Sequence, residues 1–151
     1  MVATGTGVSW FIRSYRDPSD PSALSTSPAP ATSPSVTAAD GRKTVSATDL
    51  ASGDCVESDF RDVVATLVVV SCADPHRGEV IGDYRVEGST FPGADTLSTE
   101  AKSRCLAMRP DGVQDTLKLM YLIPSKDTWS LGDRKVSCLL FSETTVTAPF
   151  Q

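Results

Sequence analysis

Four cysteines, Cys55, Cys72, Cys105 and Cys138, constrain this chain more than any other feature, and no cysteine precedes them. Their even number, wide and irregular spacing, and lack of any C-x-x-C pair fit two disulfides in an oxidising compartment better than a zinc site or a thiol enzyme. They also divide the molecule into a cysteine-free arm and a compact part that cross-links can staple. The compact part, residues 48–148, has ordinary globular character within a chain of 151 residues and 40% hydrophobic content. A domain of roughly 100 residues buries a core but stays marginal, so covalent bonds add needed stability.

The net charge of -5 excludes one large class of function. In the first 49 residues Arg13, Arg16, Arg42 and Lys43 balance Asp17, Asp20, Asp40 and Asp49, so the acidic excess belongs to the domain. Without a Lys/Arg stripe there is little to displace counterions from a phosphate backbone, and no nucleic-acid partner is expected.

Residues 1–16 begin with a mildly apolar run too short to span a bilayer, for which about 20 residues are needed. Trp10, Phe11, Arg13, Tyr15 and Arg16 have the aromatic and basic character found where a membrane helix leaves the hydrocarbon. The expectation is the outer end of a membrane anchor whose upstream half precedes Met1, set against a plain disordered start. Residues 17–47 are rich in Ser, Thr, Pro and Ala with almost no large apolar group, and read as a disordered linker. In a polyproline-like form it holds the domain roughly 60–85 Å from its anchor, at about 3 Å per residue.

Within the domain, Val63 to Val70 is a β-branched run that reads as a central strand buried on both faces. After an Ala73–His76 turn, residues 79–86 alternate, with Val80, Tyr84 and Val86 on one face, as an edge-like hairpin partner. Leu97, Ala101, Cys105 and Met108 recur at helical spacing and predict a helix over 95–108 with Cys105 facing the core. Leu117 to Ile123 alternates as a third strand. Ser125 is the expected N-cap of a short helical turn that Gly132 ends, and Arg134 to Phe141 forms a fourth strand. The fold class is α+β: a small antiparallel sheet of about four strands covered by one main helix, with two disulfides. Of the three pairings open to four cysteines, Cys55–Cys72 and Cys105–Cys138 are favoured. The first pins the incoming loop to the central strand and the second ties the helix to the sheet. Each closes a loop long enough to contribute about 3–4 kcal/mol in the chain-entropy model.

A set of short motifs runs through the domain: Asp49-Leu50, Gly53-Asp54-Cys55, Val70-Ser71-Cys72, Asp74-Pro75-His76 with Glu79-Val80, and Phe91-Pro92-Gly93. Cys105, Pro124-Ser125 with Trp129, and Gly132-Asp133-Arg134 with Val136 and Cys138 complete it. Residues 48–141 thereby resemble the septum formation-related domain family of exported and membrane-anchored actinobacterial proteins. Val56 departs from the aromatic residue frequent after the cysteine. The resemblance implies an extracytoplasmic domain at the outer face of the cell membrane, linked to the cell envelope, septum formation and cell division. It carries no catalytic activity to transfer.

The chemistry available to an enzyme is thin. His76 is the only histidine, and with Asp74 and Glu79 it makes the one cluster fit for acid–base or metal chemistry. One His and two carboxylates on a turn and strand are fewer ligands than a usual zinc site, and lack the geometry of a helical H-E-x-x-H. No G-x-S-x-G, P-loop or G-x-G-x-x-G is present, and no cofactor or metal is expected. Trp129, Asp133 and Arg134 are candidates for a binding surface or for a structural corner. The expected function is a non-catalytic interaction or scaffolding domain that binds a protein or cell-envelope polymer from a membrane-tethered stalk. The alternative is a small envelope hydrolase or metal-dependent enzyme centred on His76 and Glu79.

Overall fold

In the computed structural model, residues 23–28, 36–37, 40–57, 60 and 64–150 are described. The segment read as the end of a membrane anchor, residues 1–16, lies outside them. No helix among the described residues is long and apolar enough to cross a membrane.

Among the described residues, eight strands and two α-helices follow in the order β1 (Ala23–Thr26), β2 (Val36–Thr37), β3 (Lys43–Ser46), β4 (Cys55–Glu57), β5 (Thr66–Val70), β6 (His76–Arg85), α1 (Ala94–Met108), β7 (Lys118–Pro124), α2 (Lys126–Ser130) and β8 (Lys135–Val146). Among the described residues the strands form one sheet in the order β1-β7-β8-β6-β4-β5-β3-β2. All neighbours are antiparallel except β1 and β7, which run parallel with Ala23 opposite Tyr121 and Thr26 opposite Pro124. The sheet curls into a half-barrel. One edge strand, β1, reaches across to the residues leading into β5, where Thr26 bridges Val64 and Ser27 N–H donates to Val64 O at 3.2 Å.

Alternation along the strands supplies two cores, one on each face of the sheet. Inside the curl, Val45, Leu50, Val56, Leu67, Val80, Met120, Leu122 and Leu139 pack together. Outside it, Leu97, Ala101 and Cys105 of α1 meet Tyr121, Ile123, Trp129, Val136 and Cys138. The helix lies on the expected residues and buries the expected face. Cys55 bonds to Cys72, and Cys105 to Cys138. Ser125 caps α2 in a capping box: its hydroxyl accepts from Thr128 N–H, and the Thr128 hydroxyl accepts from Ser125 N–H.

The sheet departs from the four-strand expectation in definite ways. Strands β1, β2, β3 and β4 were not anticipated, and the first three lie within the Ser/Thr/Pro-rich stretch read as linker. Of the described residues in 17–47, those at 23–26, 36–37 and 43–46 thus belong to the sheet. Strand β5 does not pair with β6 as a hairpin, because β4 inserts between them, with Cys55 opposite Val70 on one side and Glu79 on the other. β5 is not buried on both faces either: Thr66 is exposed and Val68 and Val69 are half-buried. β6 is an interior strand, flanked by β8 and β4.

A bulge splits the single face expected for Val80, Tyr84 and Val86. Val80 lies opposite Leu139 and Gly82 opposite Cys138, so Ile81 is an extra residue and the alternation reverses there. Val80 enters the inner core while Tyr84 and Val86 turn to the helix side. Two glycines of β6 mark close approaches. A Cβ on Gly78 would lie 2.7 Å from Val56 Cγ2 and 3.0 Å from the Phe60 ring, whereas one on Gly82 would meet the Met108 sulfur at 3.0 Å.

Two outcomes follow from this packing. Gly78→Ala is expected to lower stability by about 1–3 kcal/mol, because β-branched Val56 on a paired strand has little room to move. Gly82→Ala is expected to lose less, since a flexible thioether can swing aside; urea midpoints at unchanged slope compare the two. Tyr84 provides the second. Burial chiefly, with the Glu100 charge adding to it and Arg104 opposing, pushes its pKa up to about 12. The folded state therefore keeps a proton that the unfolded chain releases near 10. Stability is complete below that pH and falls as pH rises towards 12. Absorbance titration of the phenolates should show a late component that Tyr84→Phe removes.

Candidate functional site

The titratable residues come together where β4 and β6 begin. The Ser71–Pro75 turn, closed by Asp74 N–H donating to Ser71 O at 2.8 Å, delivers His76 to the start of β6. His76 is fully buried. Its Nδ1 lies 2.8 Å from Asp74 O. A carbonyl only accepts, so Nδ1 is the donor and the neutral ring presents its lone pair at Nε2. Nε2 is buried and has no hydrogen-bond partner among the described residues. Glu79, 4% exposed, stands directly opposite Cys55 in the ladder. The ligand atoms of Cys55, His76 and Glu79 all lie within 4.8 Å of one another.

The C-terminal residues cover this cluster. Phe150 N–H donates to Glu79 Oε2 at 2.6 Å, and the Phe150 ring lies 5.5 Å from the His76 ring, tilted by 48°. Phe150 also lines a groove of about 530 Å³ with Leu117, Ser142, Thr144 and Pro149. At the outer end of β8, Arg77 donates to Ser142 O at 3.2 Å and to Glu143 O at 2.7 Å. Lys118 hydrogen-bonds the exposed Glu143 carboxylate and holds its pKa below the usual range.

Of the trio expected from sequence, His76 and Glu79 are brought together, while Asp74 contributes its backbone carbonyl and leaves its residue exposed. Cys55 takes the third place. It was assigned only a disulfide because nothing marked residues 55–57 as a strand opposite Glu79. Phe150 was missed as well, and only the apolar ending Ala148-Pro149-Phe150 hints at a segment that packs back. While Cys55 is bonded to Cys72 its sulfur is no thiolate, so the cluster offers a metal ion two donors, fewer than the three protein ligands of a catalytic zinc.

Trp129, Asp133 and Arg134 form a second constellation turned inward on the chain. Trp129 is 3% exposed, and its indole N–H donates to Ser89 O at 3.1 Å. The Arg134 guanidinium lies 3.8 Å above its ring, donating to Trp129 O at 2.7 Å and Gly88 O at 3.1 Å. Asp133 accepts from Lys135 N–H at 3.0 Å and lies 2.8 Å from the Thr26 hydroxyl. That hydroxyl also stands 3.0 Å from Ile123 O, and its single proton serves one acceptor at a time. The group fastens β1 to the α2 corner. Leu131, next to it, is 74% exposed and is the apolar side chain this corner presents to solvent.

A family model described as Septum formation matches residues 52–150. No curated protein and no solved structure matches the chain.

With a single histidine in the chain, its cover can be tested cleanly. Diethylpyrocarbonate should modify His76 slowly in the intact protein. A chain ending at Pro149 should react about tenfold faster while keeping both disulfides, measured by the absorbance of carbethoxyhistidine.

Proposed function

We propose that this chain, which belongs to the septum formation family, works as a non-catalytic interaction domain outside the cell membrane. Family membership links it to septum formation, and its two disulfides fit an extracytoplasmic location. In this reading the N-terminal segment tethers the domain to the membrane, and the partner is an envelope protein or polymer. The observation that carries the non-catalytic part is the burial of His76 and Glu79 beneath Phe150. A general base must reach a substrate proton within about 2.6–3.2 Å, and in this arrangement the C-terminal residues occupy that side of the ring. Trp129, Asp133 and Arg134 support the same reading from the other end of the sheet, because their polar groups hold the chain's own backbone. They build a corner that displays Leu131, which suits contact with an apolar patch on a partner.

Complementation separates the two classes of function. In cells lacking this protein, the wild-type chain should restore normal septa. His76→Gln and Asp74→Asn should restore them equally whenever the variant is exported with both disulfides formed. Leu131→Asp, an exposed change that leaves the fold intact, should restore them poorly. A correctly folded His76→Gln chain that fails, beside a Leu131→Asp chain that works, would transfer the function to a catalytic centre at His76.

A further inference from the structure

The two disulfides differ in a way that gives the His76 cluster a second state. Cys105 and Cys138 are both fully buried between α1 and β8. In the other pair Cys55 is fully buried, whereas Cys72 sits at the end of β5 and is partly exposed. An external thiolate can therefore reach one sulfur of the four, Cys72 Sγ. Attack there forms a mixed disulfide to Cys72 and expels Cys55 as the leaving thiolate, beside His76 and Glu79. A second thiol of the same reductant then attacks the mixed disulfide, leaving as its own disulfide and releasing Cys72 as a thiol. Two electrons pass from the dithiol to the protein, and the Cys55–Cys72 bond is replaced by two thiols.

We propose that Cys55, His76 and Glu79 form a redox-gated site for a divalent metal of the zinc class, closed while Cys55 is bonded to Cys72 and opened when that disulfide is reduced. Sulfur, imidazole nitrogen and carboxylate oxygen are the donors zinc takes. Around a tetrahedral zinc, bonded at about 2.0–2.3 Å, such donors stand roughly 3.3–3.8 Å apart. Ligand atoms already within 4.8 Å of one another need only a small inward shift. The buried Nε2 of His76, without a hydrogen-bond partner among the described residues, has the lone pair a metal requires. The surroundings match those of metal-bound ligands: Nδ1–H is held by the Asp74 carbonyl and the Glu79 carboxylate by Phe150 N–H. Binding replaces the thiol proton of Cys55, which passes to solvent. This state is independent of the partner-binding role proposed above.

A pair of matched variants tests it, because each removes the same disulfide but leaves a different cysteine. Cys72→Ser frees Cys55 and Cys55→Ser frees Cys72. In the full chain without reductant, Cys72→Ser should bind one Co²⁺ with a sulfur-to-metal charge-transfer band that Zn²⁺ bleaches. It should bind about a hundredfold more tightly than Cys55→Ser, and Cys72→Ser with His76→Gln should lose the band. Equal binding by the two single variants, or no band with Cys72→Ser, overturns the proposal. The wild-type chain opened by a phosphine reductant provides a check that does not depend on either variant folding. It should give the same band, with peptide mapping finding Cys105–Cys138 intact. Absence of the band, or opening of Cys105–Cys138 first, overturns it equally.

Discussion

The half-barrel is joined across its middle by three residues. β4 (Cys55, Val56 and Glu57) pairs with β5 along its whole length and with β6 through Cys55 and Val56, so the β2–β3–β5 side meets the β1–β7–β8–β6 side through this strand. Three residues are a short seam for a sheet this wide, and several contacts lengthen it. Just ahead of β4, Gly53 N–H donates to Val80 O at 2.7 Å and Val80 N–H to Asp54 O at 2.9 Å, continuing the ladder. Gly53 adopts φ 89°, a conformation glycine takes without steric penalty, and this turns the chain into the seam. Val56 fills the inner core against the space where Gly78 lacks a side chain. The Cys55–Cys72 bond fixes the start of β4 to the end of β5. The inner core, the His76 cluster and the closure of the curl all depend on this short strand holding its register.

That dependence explains how much of the fold was legible in the sequence. Helix α1, its buried face and the capped turn at Ser125 could be read because helical spacing and capping are local signals that repeat over several residues. Both disulfide pairings followed from placing Cys105 on that face and Cys72 at the end of a strand. The short strands gave no such signal. Cys55–Glu57 and Lys43–Ser46 are too brief for alternation to register, and they form because long-range partners complete their hydrogen bonds. Ala23–Thr26 lies among Ser and Pro residues, where composition indicates a linker; pairing with β7 and the hydroxyl of Thr26 overrides it. The reversal at Ile81 was equally hidden, since a bulge depends on the partner strand.

The candidate site shows the same limit at the level of side chains. His76 and Glu79 were identified because they were the chemically capable groups in one short segment. Their burial and their nearness to Cys55 come from cross-strand register, and their cover comes from Phe150, 71 positions beyond Glu79. Trp129, Asp133 and Arg134 were singled out as a motif that could face a ligand or fix a turn. The geometry turns them to the chain itself, with guanidinium, ring and carboxylate serving the backbone around them.

The parallel pairing of β1 also has a mechanical side. A pull on the chain ahead of Ala23 reaches β1 before any other strand of the sheet. What resists it is a four-residue ladder with β7, one hydrogen bond from Ser27 to Val64, and the Thr26 hydroxyl. The strands that carry the two cores and both disulfides lie behind it in the line of tension. Should β1 give way, the chain up to Val36, where β2 pairs with β3, could reach at most roughly 43 Å at about 3.3 Å per residue, with the disulfide-bonded body still folded. Under load, the first strand is a safety catch, and it yields slack before the rest of the domain carries the strain.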